Sequence, residues 1–150
     1  MEALLKDLKT AIFEVMEKMF FLLPDIERDV QFKDDSDREL HSIHIGIKGN
    51  PNYLLTFVFD KELAARMAID ILGIDDSEVN NELIQKCLKE TANIYTGKFL
   101  LSFESRQDQN ITLPSSRKER VFGEFNVLEQ GSITMFFERK MLKAIIETIA

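Results

Sequence analysis

The stretch that decides the fold is DDSEVNNELIQKCLKETANIYTGKFLL, residues 75–101. Asp75, with Glu78 three positions later, forms a capping-box pattern that predicts the start of a helix. Apolar residues then recur at spacings of three and four, so that in a helix they form one arc facing a core. The members of this predicted arc are Val79, Leu83, Ile84, Cys87, Leu88, Ile94, Tyr95 and Phe99. We therefore predict one long amphipathic helix over residues 75–101.

A narrow polar stripe runs along the edge of that arc. Its members are Lys86, Glu90, Asn93 and Gly97, at spacings of four, three and four. Side chains three and four positions apart are neighbours on a helix, so the stripe presents a cation, a carboxylate, an amide and then a gap. A glycine within a helix costs roughly 1 kcal/mol relative to alanine. We therefore expect Gly97 to leave space, either for close packing or for a molecule that reaches Asn93.

Composition narrows the class of protein. The chain has 150 residues, of which 45% are hydrophobic and 30% charged, as is typical of a single soluble globular domain over residues 1–150. Its net charge of −7 would repel a phosphate backbone, which argues against nucleic-acid binding.

The sequence shows no apolar run that predicts a signal peptide or membrane insertion. The single cysteine, Cys87, lies on the apolar arc and cannot form an internal disulfide. We expect a cytoplasmic protein.

The order of predicted elements repeats. The first half, residues 1–73, contains a helix (3–23), three strands (29–34, 40–48 and 53–59) and a helix (61–72). The second half, 74–150, contains the long helix, a short strand ending at Pro114, strands 121–129 and 132–137 with a turn at Gln130 and Gly131, and a helix (139–149). The fragments TFVFDKELAARMAIDI (56–71) and TMFFERKMLKAIIETI (134–149) align, and Glu14 and Glu17 fall where Glu90 and Asn93 fall.

This repeat predicts the fold class. We expect an α/β protein of the α+β type, built from two α-β-β-β-α repeats related by a pseudo-twofold axis. The six strands would form one mostly antiparallel sheet with helices packed on it. The strand at 29–34 is short and charged, which suits an edge that could pair with a second copy.

Other chemistry finds little support in the sequence. His41 and His44 are three apart on a predicted strand and so point to opposite faces. With no Cys/His cluster, we predict no metal site. There is no G-x-G-x-x-G motif and no phosphate-binding P-loop. The run of charges at residues 117–120 suits a solvated loop or contact with an acidic partner.

The string ETANIYTG (90–97) resembles the E-x-x-N-x-x-x-G helix motif of the CheC/CheX family of chemotaxis phosphatases. Pro114 follows Asn93 by 21 positions, close to where that family places a proline, and the duplicated layout is also similar to the family's fold. A single intact motif and the chain length make the closest resemblance one to CheX.

The resemblance implies an aspartyl-phosphate phosphatase that acts on a phosphorylated CheY-like response regulator. Asn93 and Glu90 would be catalytic, with Asn93 positioning the water and Glu90 binding a lysine of the regulator. Lys86 and Gly97 would contact the partner. The regulator would hold the magnesium ion, so we expect no cofactor in this chain. The resemblance also implies a homodimer.

Lys86 leaves alternatives open, because the family often has Asp or Ser at this position. It could pair with Glu90 and mute it, or it could contact an acidic partner. A non-enzymatic docking module related to the flagellar switch, which binds a regulator or self-associates, is one alternative function. An α/β domain without a role in chemotaxis is another, and it requires a buried Asn93.

Overall fold

An antiparallel sheet organises the part of the chain that this computed structural model describes, namely residues 1–26, 39–103 and 109–150. The strands are β1 (Leu40–Lys48), β2 (Asn52–Asp60), β3 (Asn110–Ile111), β4 (Val127–Phe137) and β5 (Lys140–Ile149). The helices are α1 (Glu2–Phe20), α2 (Lys61–Leu72), α3 (Asn81–Leu100) and the short α4 (Glu119–Phe122). Within the described residues the sheet has five strands in the order β3-β1-β2-β5-β4.

One face of the sheet forms the core with α1, α2 and α3. Strand residues alternate between the two faces, and every second residue of the central strands joins the buried cluster beneath these helices. The strand members of this cluster are Ile43, Ile45, Ile47, Leu55, Phe57, Phe59, Met135, Phe137, Leu142, Ala144 and Ile146. The opposite face is partly covered by α4: a Cβ built on Gly46 would lie 2.5 Å from the Phe122 ring.

The first half of the chain follows the prediction closely. β1 and β2 form the expected antiparallel hairpin, in which Leu40 pairs with Asp60. The carboxylate of Asp60 then caps α2 by accepting a hydrogen bond from the Glu62 amide at 2.9 Å. α2 ends at Gly73, whose φ of 62° lies in the left-handed region that glycine adopts at no steric cost. The predicted strand at 29–34 lies outside the described residues.

The predicted closing helix at 139–149 is wrong, because this segment is strand β5. Glu138 and Arg139 both have positive φ, 50° and 67°, and form a two-residue turn between the paired residues Phe137 and Lys140. Two positive φ values suit the right-handed twist of a hairpin, and the turn is held by Asp25, whose carboxylate accepts from the Arg139 amide at 2.6 Å. The alternating apolar residues of β5 then bury their side chains against β2.

The predicted turn at Gln130 and Gly131 is also wrong, because β4 runs through it without interruption. Gly131 instead permits close packing. A Cβ at that position would lie 2.7 Å from the Met1 side chain and 2.8 Å from Leu5, so the glycine lets the start of α1 approach the sheet. The region predicted as strand 121–129 contains the end of α4 and the start of β4.

These differences change the architecture that we predicted. The second half ends in a strand, so it does not repeat the order helix, three strands, helix. The described residues therefore do not reproduce the pseudo-twofold repeat or the sixth strand. The α+β class and the antiparallel sheet with helices packed on it are confirmed.

The long helix is shorter than predicted at its start. Asp75 caps a separate 3-10 turn, Asp76–Glu78, and its amide donates to the Glu78 carboxylate at 3.4 Å. α3 begins at Asn81, and the Asn80 side chain caps it by accepting from the Leu83 amide at 2.9 Å. Among the helices of the described ranges, none combines the length and the hydropathy that crossing a membrane requires.

Candidate functional site

α3 has a buried side and an exposed side, and the boundary between them positions the polar stripe. The buried side consists of Ile84, Cys87, Leu88, Thr91, Ala92, Tyr95, Thr96 and Phe99. Ile94, which we expected in the core, is 38% exposed and lies on the outer side next to Asn93. Two threonines take its place in the core because their hydroxyls donate to backbone carbonyls one turn back, Thr91 to Cys87 and Thr96 to Ala92, both at 2.8 Å.

Burial also sets the state of the cysteine. Cys87 is 4% exposed and lies on the core side of α3. Burial raises the pKa of its thiol, against a smaller opposing effect of the Thr91 hydroxyl. Cys87 is therefore a buried, protonated core residue, and its thiol is turned into the core, one turn before the exposed Glu90.

Lys86, Glu90 and Asn93 all lie in the exposed class. Within the described residues, the side chains of Glu90 and Asn93 make no hydrogen bond or ion pair with the rest of the chain. A separation of three residues places their Cα atoms about 4.5 Å apart along the helix axis. The carboxylate and the carboxamide thus stand side by side in solvent on a rigid helix, as the sequence predicts.

Lys86 is directed away from Glu90. Its Nζ atom lies 3.9 Å from the Glu82 carboxylate, and these side chains are 72% and 81% exposed. Exposed ion pairs of this kind contribute little to stability, so the Lys86 ammonium can leave Glu82 at small cost. Of the two predicted roles for Lys86, pairing with Glu90 is not the arrangement observed.

Gly97 borders open space. A Cβ built on it would meet no heavy atom within 4 Å, apart from the backbone of its own helix turn. Packing within the described chain therefore does not explain this glycine. It leaves the surface one turn after Asn93 low, so that a partner's backbone could approach the carboxamide.

The matching positions on α1 have a different environment. The Glu14 carboxylate lies 2.6 Å from the Lys98 Nζ atom of α3. The hydrogen bond and the positive charge of Lys98 hold the pKa of Glu14 below its ordinary value. Glu17, in the place of Asn93, is an exposed carboxylate, which can accept hydrogen bonds but cannot donate them.

α1 and α3 run antiparallel, and a groove lies between them. Tyr95 packs beside Met16, with its hydroxyl 2.9 Å from the methionine sulfur. Towards the start of α1 the groove has a volume of about 380 Å³ and is lined by Asp7, Thr10, Ala11, Glu14, Lys98, Leu101 and Ser102. Sequence reasoning missed Lys98, because its pairing with Glu14 joins two helices that are far apart in the sequence.

The two histidines lie on opposite faces of the sheet, as predicted. His41 faces α3, where the Gln85 side chain lies 3.2 Å from its Nδ1 atom. His44 faces the other side and is 2.8 Å from the Thr56 hydroxyl. Pro114 precedes Ser115, whose backbone pairs with that of His44 at the edge of the sheet. Both histidines thus have side-chain partners within the protein.

Comparison with known proteins shows which solved structures share this fold. No protein-family model matches the sequence, and no curated protein matches it. The structure is similar to that of the chemotaxis protein CheX from Desulfovibrio desulfuricans, with 15% identity, 99% of each chain covered and a TM-score of 0.69. It is similar to CheX from Vibrio vulnificus, with 21% identity, 96% of this chain and 95% of that chain covered, and a TM-score of 0.66.

A third similar structure is that of the CheX–CheY–BeF3–Mg2+ complex from Borrelia burgdorferi, with 17% identity, 96% of each chain covered and a TM-score of 0.62. The protein thus has the fold of CheX and CheC-like chemotaxis proteins, in agreement with the resemblance seen in its sequence. At these identities the likeness establishes the fold.

Proposed function

We propose that this protein is a CheX-like phosphatase that stimulates hydrolysis of the aspartyl phosphate of a CheY-like response regulator in chemotaxis signalling. The observation that carries the proposal is the exposure of Glu90 and Asn93, side by side and without partners in the described chain, on a helix of a CheX-like fold. The Borrelia complex supports the choice of partner, because it contains CheX, CheY and BeF3, whose geometry makes it a substitute for a phosphoryl group.

Hydrolysis of an acyl phosphate asks for little covalent chemistry from the protein that stimulates it. The reaction needs a water molecule in line with the bond that breaks, and stabilisation of the charge on the phosphoryl oxygens. A magnesium ion held by the regulator supplies part of that stabilisation. What a second protein can add is the position of the water.

Asn93 has the chemistry for that role. A carboxamide accepts a hydrogen bond through its oxygen and donates through its nitrogen, so it can hold the water and contact a phosphoryl oxygen at the same time. It carries no charge that would repel the phosphoryl group. Because α3 is held by contacts with α1, α2 and β1, insertion of this helix costs little ordering of the backbone.

Glu90 would orient the docked complex. Its carboxylate stands one turn before Asn93 and can bind a cationic side chain of the regulator beside the phosphoaspartate. Gly97 leaves room for the regulator's backbone, and the exposed ammonium of Lys86 is free to contact an acidic side chain of the regulator.

A phosphate-release assay tests this proposal. A CheY-like regulator phosphorylated with phosphoramidate is mixed with the parent protein or with the Asn93→Ala variant, with the regulator alone as reference. We expect the parent to accelerate phosphate release and the variant to lose about 100-fold of the stimulated rate, the usual cost of removing one positioned hydrogen-bonding group. Equal rates for parent and variant would contradict the assignment.

The same assay separates the enzyme from a non-enzymatic docking module. A docking module would bind the BeF3 adduct of the regulator without accelerating phosphate release from the phosphorylated form. Binding measured by calorimetry, together with an unchanged release rate, would therefore favour the docking module over the phosphatase.

A further inference from the structure

Phe21 is an exposed aromatic residue in an unfavourable position. It directly follows the last residue of α1 and is 88% exposed. Its φ of 55° and ψ of 33° lie in the left-handed region, where a side chain is strained and where glycine is the usual residue after a helix. Phenylalanine here gains almost no burial and brings backbone strain. Stability of the fold therefore does not explain Phe21.

The position of Phe21 relative to α3 follows from the antiparallel contact of the two helices. Lys98 lies beside Glu14, and earlier residues of α3 therefore lie beside later residues of α1. With a rise of about 1.5 Å per residue in both helices, the turn that carries Glu90 is level with the end of α1. Asp7, Thr10 and Glu14 line the groove from α1. They follow one another at spacings of three and four, and Phe21 lies seven positions, or about two turns, after Glu14 on the same side of the helix.

The surroundings of Phe21 combine apolar area with charges of both signs. Leu23, two residues later, is 65% exposed, and Ile94 on α3 is 38% exposed. Lys18 and Glu17, three and four positions before Phe21, both lie in the exposed class. Exposed apolar side chains near a polar site are typical of protein–protein contact surfaces. The ammonium of Lys18 complements the negative charge that surrounds a phosphorylated aspartate.

We propose that the response regulator docks on α1 as well as on α3, with Phe21 as an apolar anchor on the regulator surface next to its phosphoaspartate. This inference rests on the proposed function. α3 supplies the groups that act on the phosphoryl group, and α1 supplies binding area. Aromatic side chains dominate the binding energy of many interfaces because they bury a large area at a small entropic cost. Phe21 therefore affects how tightly the regulator binds and leaves the chemical step unchanged.

The variant Phe21→Gly tests this inference without endangering the fold. Glycine relieves the left-handed strain, so we expect this variant to melt at the same temperature as the parent or higher. Stimulated phosphate release is measured against the concentration of phosphorylated regulator. We expect Phe21→Gly to raise KM at least fivefold while kcat changes less than twofold, and Phe21→Trp to restore KM.

Leu113→Ala is the matched control. Leu113 is 87% exposed, as Phe21 is, but it lies beside β1 at the edge of the sheet, where the preceding Thr112 amide donates to Gly46. We expect its KM and kcat to equal those of the parent. An unchanged KM for Phe21→Gly, or an equal rise for Leu113→Ala, would overturn the inference.

Three further outcomes are distinguishable. If Asn93→Ala loses stimulation and Phe21→Gly keeps the KM of the parent, the proposed function stands and only the α1 contact fails. If the parent neither releases phosphate nor binds the BeF3 adduct of the regulator, both proposals fail. Sedimentation of the parent and of Phe21→Gly tests self-association, and a dimer that becomes a monomer in the variant would assign Phe21 to a contact between two copies.

Discussion

α1 and α3 are two long helices on the same face of one sheet, and they carry similar patterns of charge at matching positions. On α1, Glu14 is bound to Lys98 of the neighbouring helix, and the next position is a second carboxylate, Glu17. On α3, Glu90 and Asn93 are exposed and have no partner within the described chain. The difference teaches that an E-x-x-N motif can act on a partner only when its side chains are exposed and not bound within the protein. Glu14 contributes to the contact between the two helices, whereas the α3 pair remains available to a partner.

The largest expected effect comes from giving α3 the residue found on α1. Asn93→Glu replaces a neutral donor and acceptor with a carboxylate that repels the phosphoryl group and cannot donate to it. We expect stimulated phosphate release to fall at least about 100-fold. Circular dichroism and the melting temperature serve as the control, because residue 93 is exposed and its replacement should leave the fold intact.

The reverse change on α1 should not create a second site. Glu17→Asn completes the E-x-x-N pattern on α1, but Glu14 stays bound to Lys98. In the Asn93→Ala background we therefore expect Glu17→Asn to restore less than a tenth of the activity of the parent. Recovery of half or more of that activity would show that α1 and α3 are equivalent, and the comparison would then be wrong.

A smaller effect is expected at Glu90. Glu90→Gln keeps the shape of the side chain and removes the charge that would bind a cation of the regulator. Because hydrogen bonds to charged groups contribute about 1.5–3 kcal/mol, we expect kcat/KM to fall roughly tenfold. The matched variant on α1, Glu14→Gln, should leave kcat/KM within twofold of the parent.

The smallest expected effect concerns stability and pH. The folded-state pKa of Glu14 lies below its ordinary value of 4.5, chiefly because of the hydrogen bond from Lys98. Its contribution is therefore fully present above pH 4.5 and is lost as the pH falls through the folded-state pKa. We expect Glu14→Gln to be slightly less stable than the parent in urea at pH 7 and equally stable near pH 3. A difference that grows in acid would contradict this assignment.

The sequence predicted α1, the hairpin of β1 and β2, and α2 because the signals for these elements are local. Asp60 caps a helix and Gly73 ends it, so the segment after β2 has no competing interpretation. The matching segment after β4 has the same apolar pattern, yet it is a strand. There the decisive contacts come from elsewhere in the chain: Asp25 holds the turn, and Glu138 pairs with Arg66 of α2 at 2.5 Å. A repeat in the sequence therefore misled us about the end of the chain.

The candidate site could be predicted because exposure follows from helical spacing. Glu90, Asn93 and Gly97 lie on the outer side of α3, as the spacing indicates. Ile94 could not be placed from the sequence, since it lies at the border of the arc, where packing against α1 decides between core and surface. The exposure of Phe21 could not be predicted from the sequence, because a phenylalanine at the end of an amphipathic helix is normally a core residue.

The most direct test of the central claim observes the Asn93 carboxamide itself. Its side-chain NH2 resonances are recorded in ¹⁵N-labelled protein and assigned by their absence in Asn93→Asp. On titration with the BeF3–Mg2+ adduct of a CheY-like regulator, our account predicts that these resonances shift or broaden before those of asparagines outside α3. A complex that forms and shifts other resonances, while those of Asn93 stay at their positions in the free protein, would contradict the account.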